Sequence, residues 1–542
     1  MTFLVNIRWS ILAFFSGVAA LIYQTLWVKQ LSLVVGVDVY AVTTGVAAFF
    51  VGLALGNFWF GRISDRVSKP ALLFAGLEGG IALLGPISTI FLAHSAWLFV
   101  RLQGTAGILA WVLPFLLVGV PAVLMGGTLP ALVRAAAPEE TRIGKTSGSL
   151  YAANTAGAIG GVLAAVFLFI PTFGVIGAGL GAALLNFFVV SLAMFWCRDI
   201  KTSPQQVKPQ REPLSSTARK AVILYGLAGG VALGYEVVWS QAIVQFLSTR
   251  TYAFAIVLAT YLLGLCLGAA LYARIADWIE NPRLGFGLLI AAAGISSLLL
   301  FTVLGGWIDG WQYAATEVVY KMTDNRLAMM CARFAVASLV LIFLPTLFLG
   351  AAFPAAVRLI ARSQKIGADF GMVAAWNIAG GVGGTLITGF ILVPTLGLIR
   401  TLWLLALASV LIGSAAIMDR NSTTRSYAAA GGLVAVVILL AVLTPPNKLG
   451  RMLAEDRGGK LIYYDESAEG TVAVLEQSTA NQTFHRLYIQ GVSNTGDTLP
   501  SRRYMRLQGL LPLIIQSATP ESALVIGLGT GITAGSLLTY PL

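Results

Sequence analysis

Tyr23-Gln24-Thr25-Leu26-Trp27 and Tyr235-Glu236-Val237-Val238-Trp239 are one pattern written twice, 212 positions apart. Around the first copy Gly52, Gly56, Arg62 and Asp65 recur at the same offset as Gly264, Gly268, Arg274 and Asp277. Further on the offset becomes 223–224: Pro121, Gly126, Pro130 and Arg134 match Pro345, Gly350, Pro354 and Arg358. Asn154, Gly157, Gly160, Gly161, Pro171 and Gly174 likewise match Asn377, Gly380, Gly383, Gly384, Pro394 and Gly397. Chance does not supply that many spacings, so the chain contains an internal repeat.

The composition says where such a repeat lives. Of 542 residues 57% are apolar and 11% charged, against roughly 45–50% and 25% in soluble domains. A soluble enzyme throughout is excluded. Apolar runs of helix length, each able to cross about 30 Å of hydrocarbon, fall near 9–35, 40–61, 70–94, 105–136, 146–171 and 174–197, then near 219–247, 252–275, 283–305, 329–360, 367–393 and 396–418. The expected fold is an all-α polytopic bundle of two six-span repeats, 1–197 and 219–418, joined by a polar linker over 198–218. An even number of spans per repeat gives both halves one orientation, with the pseudo-two-fold axis along the membrane normal. The runs are too long, and too free of regular turn signals, for a β-barrel. Kinks are expected at Pro114 or Pro121 and at Pro345 or Pro354. The first run keeps Tyr23, Gln24, Trp27 and Lys29 and is too long for a signal peptide, so it reads as a retained span.

Sidedness follows from Lys and Arg. Loops on the side of the N-terminus hold 20 of them and loops on the opposite side 6, which places the N-terminus in the cytoplasm. A plasma membrane with the N-terminus inside is the matching expectation. The surplus of 35 Lys+Arg over 23 Asp+Glu is thus a loop asymmetry, and no nucleic-acid partner is expected. The bilayer itself is the first partner. A thirteenth apolar run over 427–444 would carry the remainder outside, so the following domain is expected to be extracytoplasmic.

That remainder changes character at Asn447. Strand-like segments at 460–466, 471–477 and 486–493 precede a helix near 500–518, giving a β-rich portion over 447–520. Ala523-Leu-Val-Ile526 then reads as a buried strand entering Gly527-Leu-Gly-Thr-Gly531 and a small-residue helix over 521–542. Glycines there allow backbone N–H groups to approach a ribose or phosphate at a helix N-terminus. Gly527, Gly529 and Gly531 are therefore candidate cofactor-binding residues; a Gly-rich turn with no ligand is the alternative.

Leu487-Tyr-Ile-Gln-Gly491 and Leu524-Val-Ile-Gly-Leu-Gly-Thr-Gly531 resemble the front half of a spermidine synthase. With Tyr23-Gln24-Thr25-Leu26-Trp27 and Gly148-Ser-Leu-Tyr-Ala-Ala-Asn-Thr-Ala-Gly-Ala158, nearly the whole chain resembles the bacterial membrane-fused spermidine synthase-like proteins. Gly61-Arg-Ile-Ser-Asp65-Arg66-Val-Ser-Lys69 is similar to the loop between spans two and three of the major facilitator superfamily. The resemblance implies a partial α/β domain of aminopropyl-transfer type, with S-adenosylmethionine or its decarboxylated form as the implied cofactor. Where soluble members carry an acidic residue and a Tyr-His-Glu, this chain has Gln490 and Arg502-Arg503-Tyr504-Met505, which removes the attraction for a cationic amine. The family's catalytic Asp would lie past Leu542, so the fold is expected here without the catalytic segment.

Inside the membrane an ionisable residue is a functional candidate because leaving it unpaired is costly. Glu236 stands at the repeat position of Gln24, so the halves differ there by a charge. Gln24 and Glu236, flanked by Tyr23, Tyr235, Trp27 and Trp239, form a candidate cation or proton site; interhelical hydrogen bonding is the structural alternative. Glu78 and Lys29 are further candidates. Asn154 and Asn377, beside GxxGG turns, read first as packing residues. Arg62–Asp65 and Arg274–Asp277 read as charge-paired hinges at the membrane edge. Cys197, Cys266 and Cys331 form no CxxC, and His94 and His485 stand far apart, so no metal or nucleophilic centre is expected. The favoured function is handling of a small cationic, polyamine-like metabolite by a transporter-like bundle. A membrane aminopropyltransferase or other S-adenosylmethionine-dependent enzyme, and a non-enzymatic scaffold docking on partner proteins of a membrane complex, are the alternatives.

Overall fold

The computed structural model describes residues 2–35, 38–136, 143–197, 215–244, 250–360, 365–418, 424–467, 470–479, 482–516 and 520–539. The linker expected over 198–218 lies outside the described residues as far as 214. In the first half the helices are α1 (Thr2–Val35), α2 (Asp38–Arg66), α3 (Pro70–His94), the short α4 (Ala96–Ala106), α5 (Val112–Ala136), α6 (Ile143–Ala164) and α7 (Ile170–Cys197). The second half has α8 (Ser216–Val244), α9 (Arg250–Ile275), α10 (Pro282–Val303), α11 (Trp307–Thr323), α12 (Arg326–Ser338), α13 (Leu344–Ile360), α14 (Ile366–Ile387), α15 (Val393–Leu396) and α16 (Leu398–Ile417).

Among the described residues twelve helical runs are long and apolar enough to cross a membrane, and one of them, Lys145–Trp196, has 52 residues. At about 1.5 Å per residue that is more than twice the hydrocarbon thickness of about 30 Å, and the run breaks at Gly174 (φ 66°, ψ −175°) into two lengths. Gly397 breaks the corresponding place in the second half with φ 79° and ψ 173°. Each break follows a π-helical turn, Ala165–Phe169 and Thr388–Leu392. A third such turn, Leu339–Phe343, precedes Pro345, where a kink was expected. α17 (Thr424–Leu443) is a full 20-residue helix over the thirteenth run.

The packing repeats as the sequence does. α1 lies on α6 as α8 lies on α14; α2 on α5 as α9 on α13; α3 on α7 as α10 on α16. Between halves α2 meets α14 and α6 meets α9. Lipid tails are as apolar as Leu, so close backbone approach drives this association. Gly157 faces the carbonyl of Phe14 and Gly380 that of Gly226, each with no room for a Cβ. Gly126 and Gly350 face Leu53 and Leu265 in the same way.

α11 lies between the apolar runs near 283–305 and 329–360, in a stretch that neither run covers. Its N-terminal Asp309, its Lys321 near the C-terminus and the Glu317–Lys321 pair at 2.6 Å suit a helix. Trp307 and Trp311 stand exposed on it, as interfacial aromatics do.

After α17 come α18 (Lys448–Arg457), β1 (Lys460–Ser467), β2 (Gly470–Thr479), β3 (Gln482–Ile489), β4 (Val492–Gly496), α19 (Leu499–Ile515) and α20 (Ile532–Leu537). The strands form one antiparallel meander in sequence order. Thr471, Ala473 and Leu475 alternate inward, and Ala473 and Leu475 meet Leu453, Ala454 and Tyr488 in a small core. Two expectations are corrected. The single strand over 486–493 is two, divided by Gln490 (φ 51°) and Gly491 (φ 73°), a pair of positive φ values that makes a two-residue hairpin turn. Ala523–Ile526 is not a strand: among the described residues nothing pairs with it, and Leu524 and Ile526 are 86% and 90% exposed. The described C-terminal region is a four-stranded antiparallel sheet with flanking helices, and no parallel α/β pairing is formed.

Candidate functional site

A cavity of about 690 Å³ lies between the two halves. α1 turns Gln24 into it and α8 turns Glu236 into it. The flanking aromatics explain why. Tyr23 stacks on Trp27 with centroids 5.2 Å apart, and Tyr235 on Trp239 at 5.2 Å. These fully buried pairs occupy the inner face of each half, which leaves positions 24 and 236 toward the gap. Trp239 also reaches the cavity wall, whereas Tyr23, Trp27 and Tyr235 do not. Trp27 donates to Thr89 Oγ1 at 3.0 Å, and the Tyr235 hydroxyl meets Ser409 Oγ at 3.2 Å. Glu236 forms no hydrogen bond or ion pair with any described residue, so its carboxylate is available to whatever enters. Tyr261 lies within electrostatic reach of it.

Asn154 and Asn377 line the cavity too, yet each is engaged in packing. Asn154 Nδ2 donates to Ala13 O at 3.1 Å, and Asn377 Nδ2 to Tyr225 O at 3.0 Å, equivalent bonds in the two repeats. Glu78 lies behind the wall, fully buried. It accepts from Ser16 Oγ at 2.5 Å and Asn186 Nδ2 at 2.7 Å, and those two residues line the cavity. Its repeat equivalent is Ile290. Lys29 is exposed on α1, away from this group.

One end of the cavity is floored by aromatic rings, Tyr151 on Phe353 at 4.4 Å and Phe353 on Phe370 at 5.3 Å. Beyond them Asp65 accepts from Gly367 N at 3.0 Å and Ala368 N at 2.8 Å, capping α14 of the other half. A carboxylate there meets the unpaired N–H groups and the positive end of the helix dipole. The expected Arg62–Asp65 pair is corrected: Asp65 pairs with buried Arg134 at 3.2 Å, because Arg134 projects between the halves while Arg62 lies over the Phe58 ring at 3.6 Å. Arg274–Asp277 is corrected as well. α9 ends one turn early in a 3-10 turn at Ala276–Trp278, both side chains are exposed, and Arg358 instead donates to the carbonyls of Ala276 and Ile279. The repeat list contained Arg134 and Arg358; only their partners were hidden.

In the C-terminal region Gly527, Gly529 and Gly531 have φ of 89°, 55° and 76°, the left-handed turn their spacing calls for. Gly531 precedes α20, a helix of six residues. Arg502 is drawn into a surface network in which Asp497 accepts from His485 N at 2.7 Å and lies 3.3 Å from Arg502. Burial works against the Asp497 charge, but these donors outweigh it and hold the carboxyl below its ordinary range. No group of His, Cys, Asp and Glu among the described residues suits a metal ion.

No family model matches the sequence, and no curated protein matches it. Among solved structures, the human organic anion transporter MFSD10 (TETRAN) is similar over 81% of this chain and 99% of its own, with TM-score 0.43 and 14% identity. The POT family transporter PepTSo is similar over 80% of this chain and 97% of its own, with TM-score 0.33 and 13% identity. An auto-inhibited POT family peptide transporter covers 84% of this chain and 99% of its own, with TM-score 0.32 and 13% identity.

Proposed function

We propose that the chain is a membrane transporter in which two six-span halves rock about a central cavity, and that its solute is a small cation of polyamine type. The observation that carries this reading is Glu236, a carboxylate in the cavity between the repeats with no cationic partner among the described residues. A charged side chain at mid-membrane costs roughly 2.5–3.5 kcal/mol by insertion scales, and an ammonium group entering the cavity would offset part of that cost. Trp239 and Tyr261 in the same wall supply ring faces that attract cations. Close α2–α14 and α6–α9 contacts across the repeat interface suit surfaces that part and re-form. On this reading the Asp65 end, rich in Lys and Arg, faces the cytoplasm of a bacterial cell, and the C-terminal sheet lies outside.

The test is uptake of radiolabelled spermidine by vesicles containing the purified protein. Glu236→Gln should lower uptake about tenfold, equivalent to about 1.4 kcal/mol of solute binding, with the amount of inserted protein unchanged. Equal uptake by the variant would refute the site.

A further inference from the structure

The end of the cavity opposite Asp65 is completed by residues from outside the bundle. Gly470, which opens β2, and Gln490, in the β3–β4 turn, line the same cavity as Glu236 and Trp239. The two turns form one rim: Gln490 N donates to Thr471 O at 2.8 Å, and a Cβ on Gly470 would strike the Gln490 side chain. Gln490 has φ 51°, a conformation better suited to Asn or Gly in such a turn. A strained residue is thus kept where its side chain overhangs the cavity.

The sheet is also fastened. Glu466 of β1 accepts the N–H of Leu398, the first residue of α16, and receives the Tyr464 hydroxyl at 2.5 Å. Its carboxylate packs against Gly397, where a side chain would collide with it. Lys448 of α18 donates to Thr302 O at the end of α10. All three attachments are to the second half. The equivalent helix end in the first half, Gly174, has open space where a Cβ would project.

We propose that the C-terminal sheet is the gate at this end of the cavity, with Gln490 and Gly470 as its closing edge and Glu466 on the α16 N-terminus as its latch. Solute from that side then reaches Glu236 only when β1 leaves Leu398, and Gln490 is the first polar side chain it passes. The gate's role for solute rests on the transport reading; its mechanical part does not.

The experiment reads accessibility. Cys197, Cys266 and Cys331 are replaced by Ala, and a single cysteine is placed at Ser240, in the cavity wall, or at exposed Thr105 as control. The full-length protein in lipid vesicles is labelled with a bulky hydrophilic maleimide. Glu466→Ala should speed labelling of Ser240→Cys about tenfold, the factor for one lost hydrogen bond to a charged group, and Gln490→Gly, which takes away the overhanging side chain, should speed it as well, while Thr105→Cys keeps its rate. Gln490→Gly relieves backbone strain, so it tests the gate even if Glu466→Ala fails to fold. Unchanged rates in a folded Gln490→Gly protein, or Ser240→Cys reacting as fast as Thr105→Cys with the latch intact, overturn the proposal. Accelerated labelling without spermidine uptake would refute transport alone; intact uptake with unchanged labelling would refute the gate alone.

Discussion

Asp65 and Asp277 occupy equivalent positions in the two halves, yet among the described residues Asp65 holds the end of a helix and Asp277 does not. Gly174 and Gly397 share one backbone conformation, yet among the described residues a carboxylate packs on Gly397 and none on Gly174. Both differences point the same way: α14 and α16, the last two crossings of the second half, are clasped at opposite ends by Asp65 and Glu466. The repeat supplies the frame, and departures from it supply the fastenings. A bundle that was fully symmetric would be locked, or open, alike on both of its interfaces.

The largest consequence is at Asp65. Asp65→Ala removes the α14 cap and leaves Arg134, 2% exposed, without its counter-charge, so a loss of roughly 3–5 kcal/mol is expected. Asp277→Ala should stay within about 0.5 kcal/mol. Thermal unfolding in detergent compares them, and similar losses would break the asymmetry.

Next is the glycine pair. Ala at either position must adopt a backbone region nearly reserved for glycine, costing about 1–3 kcal/mol. Gly397→Ala should cost more than Gly174→Ala, since its methyl group also displaces the Glu466 carboxylate. With Glu466→Ala already present the two should become equal; a persistent excess would place the difference inside the bundle.

Asn154→Ala and Asn377→Ala should each lose about 0.6 kcal/mol, the usual size of a polar contact between membrane helices. Their equality is the point. A much larger effect of either one on spermidine uptake than on stability would make that Asn a solute ligand.

The smallest effect is of pH on the latch. Burial raises the Glu466 carboxyl above its ordinary range, with Asp465 adding to this and the Tyr464 hydroxyl, the Leu398 N–H and Arg400 opposing it. The docked sheet therefore binds the proton more tightly than the free sheet, and docking strengthens as pH falls and weakens as pH rises through the raised value. Labelling of Ser240→Cys, corrected for thiol reactivity with Thr105→Cys, should slow in acid. Glu466→Gln should flatten that dependence, and an opposite slope would reverse the assignment.

Much of this was legible in the chain because helices crossing lipid satisfy their own backbone, so apolar length alone locates them. Repeated glycines at fixed offsets then report which helices touch, since only a missing side chain permits such approach. Glu236 could be singled out because a charge in hydrocarbon is conspicuous, and Gln24 because it stands at the matching repeat position. The partner of Asp65 was not legible: Arg62 is three residues away, Arg134 is 69, and only packing brings the second closer. Glu466 gave no signal either, since a carboxylate on a short polar strand is ordinary until a helix end is found beneath it. The span from Ala523 to Ile526 shows the opposite error, because β-pattern specifies a strand only where a neighbouring strand offers hydrogen bonds.

By itself, then, the sequence determined where the long apolar helices lie, the repeat and the places where helices pack closely, all of which follow from local apolarity and side-chain size. Tertiary structure alone decided which carboxylate caps which helix and that the sheet's turns roof the cavity, because those contacts join residues 68 to 303 positions apart and no local pattern encodes their meeting.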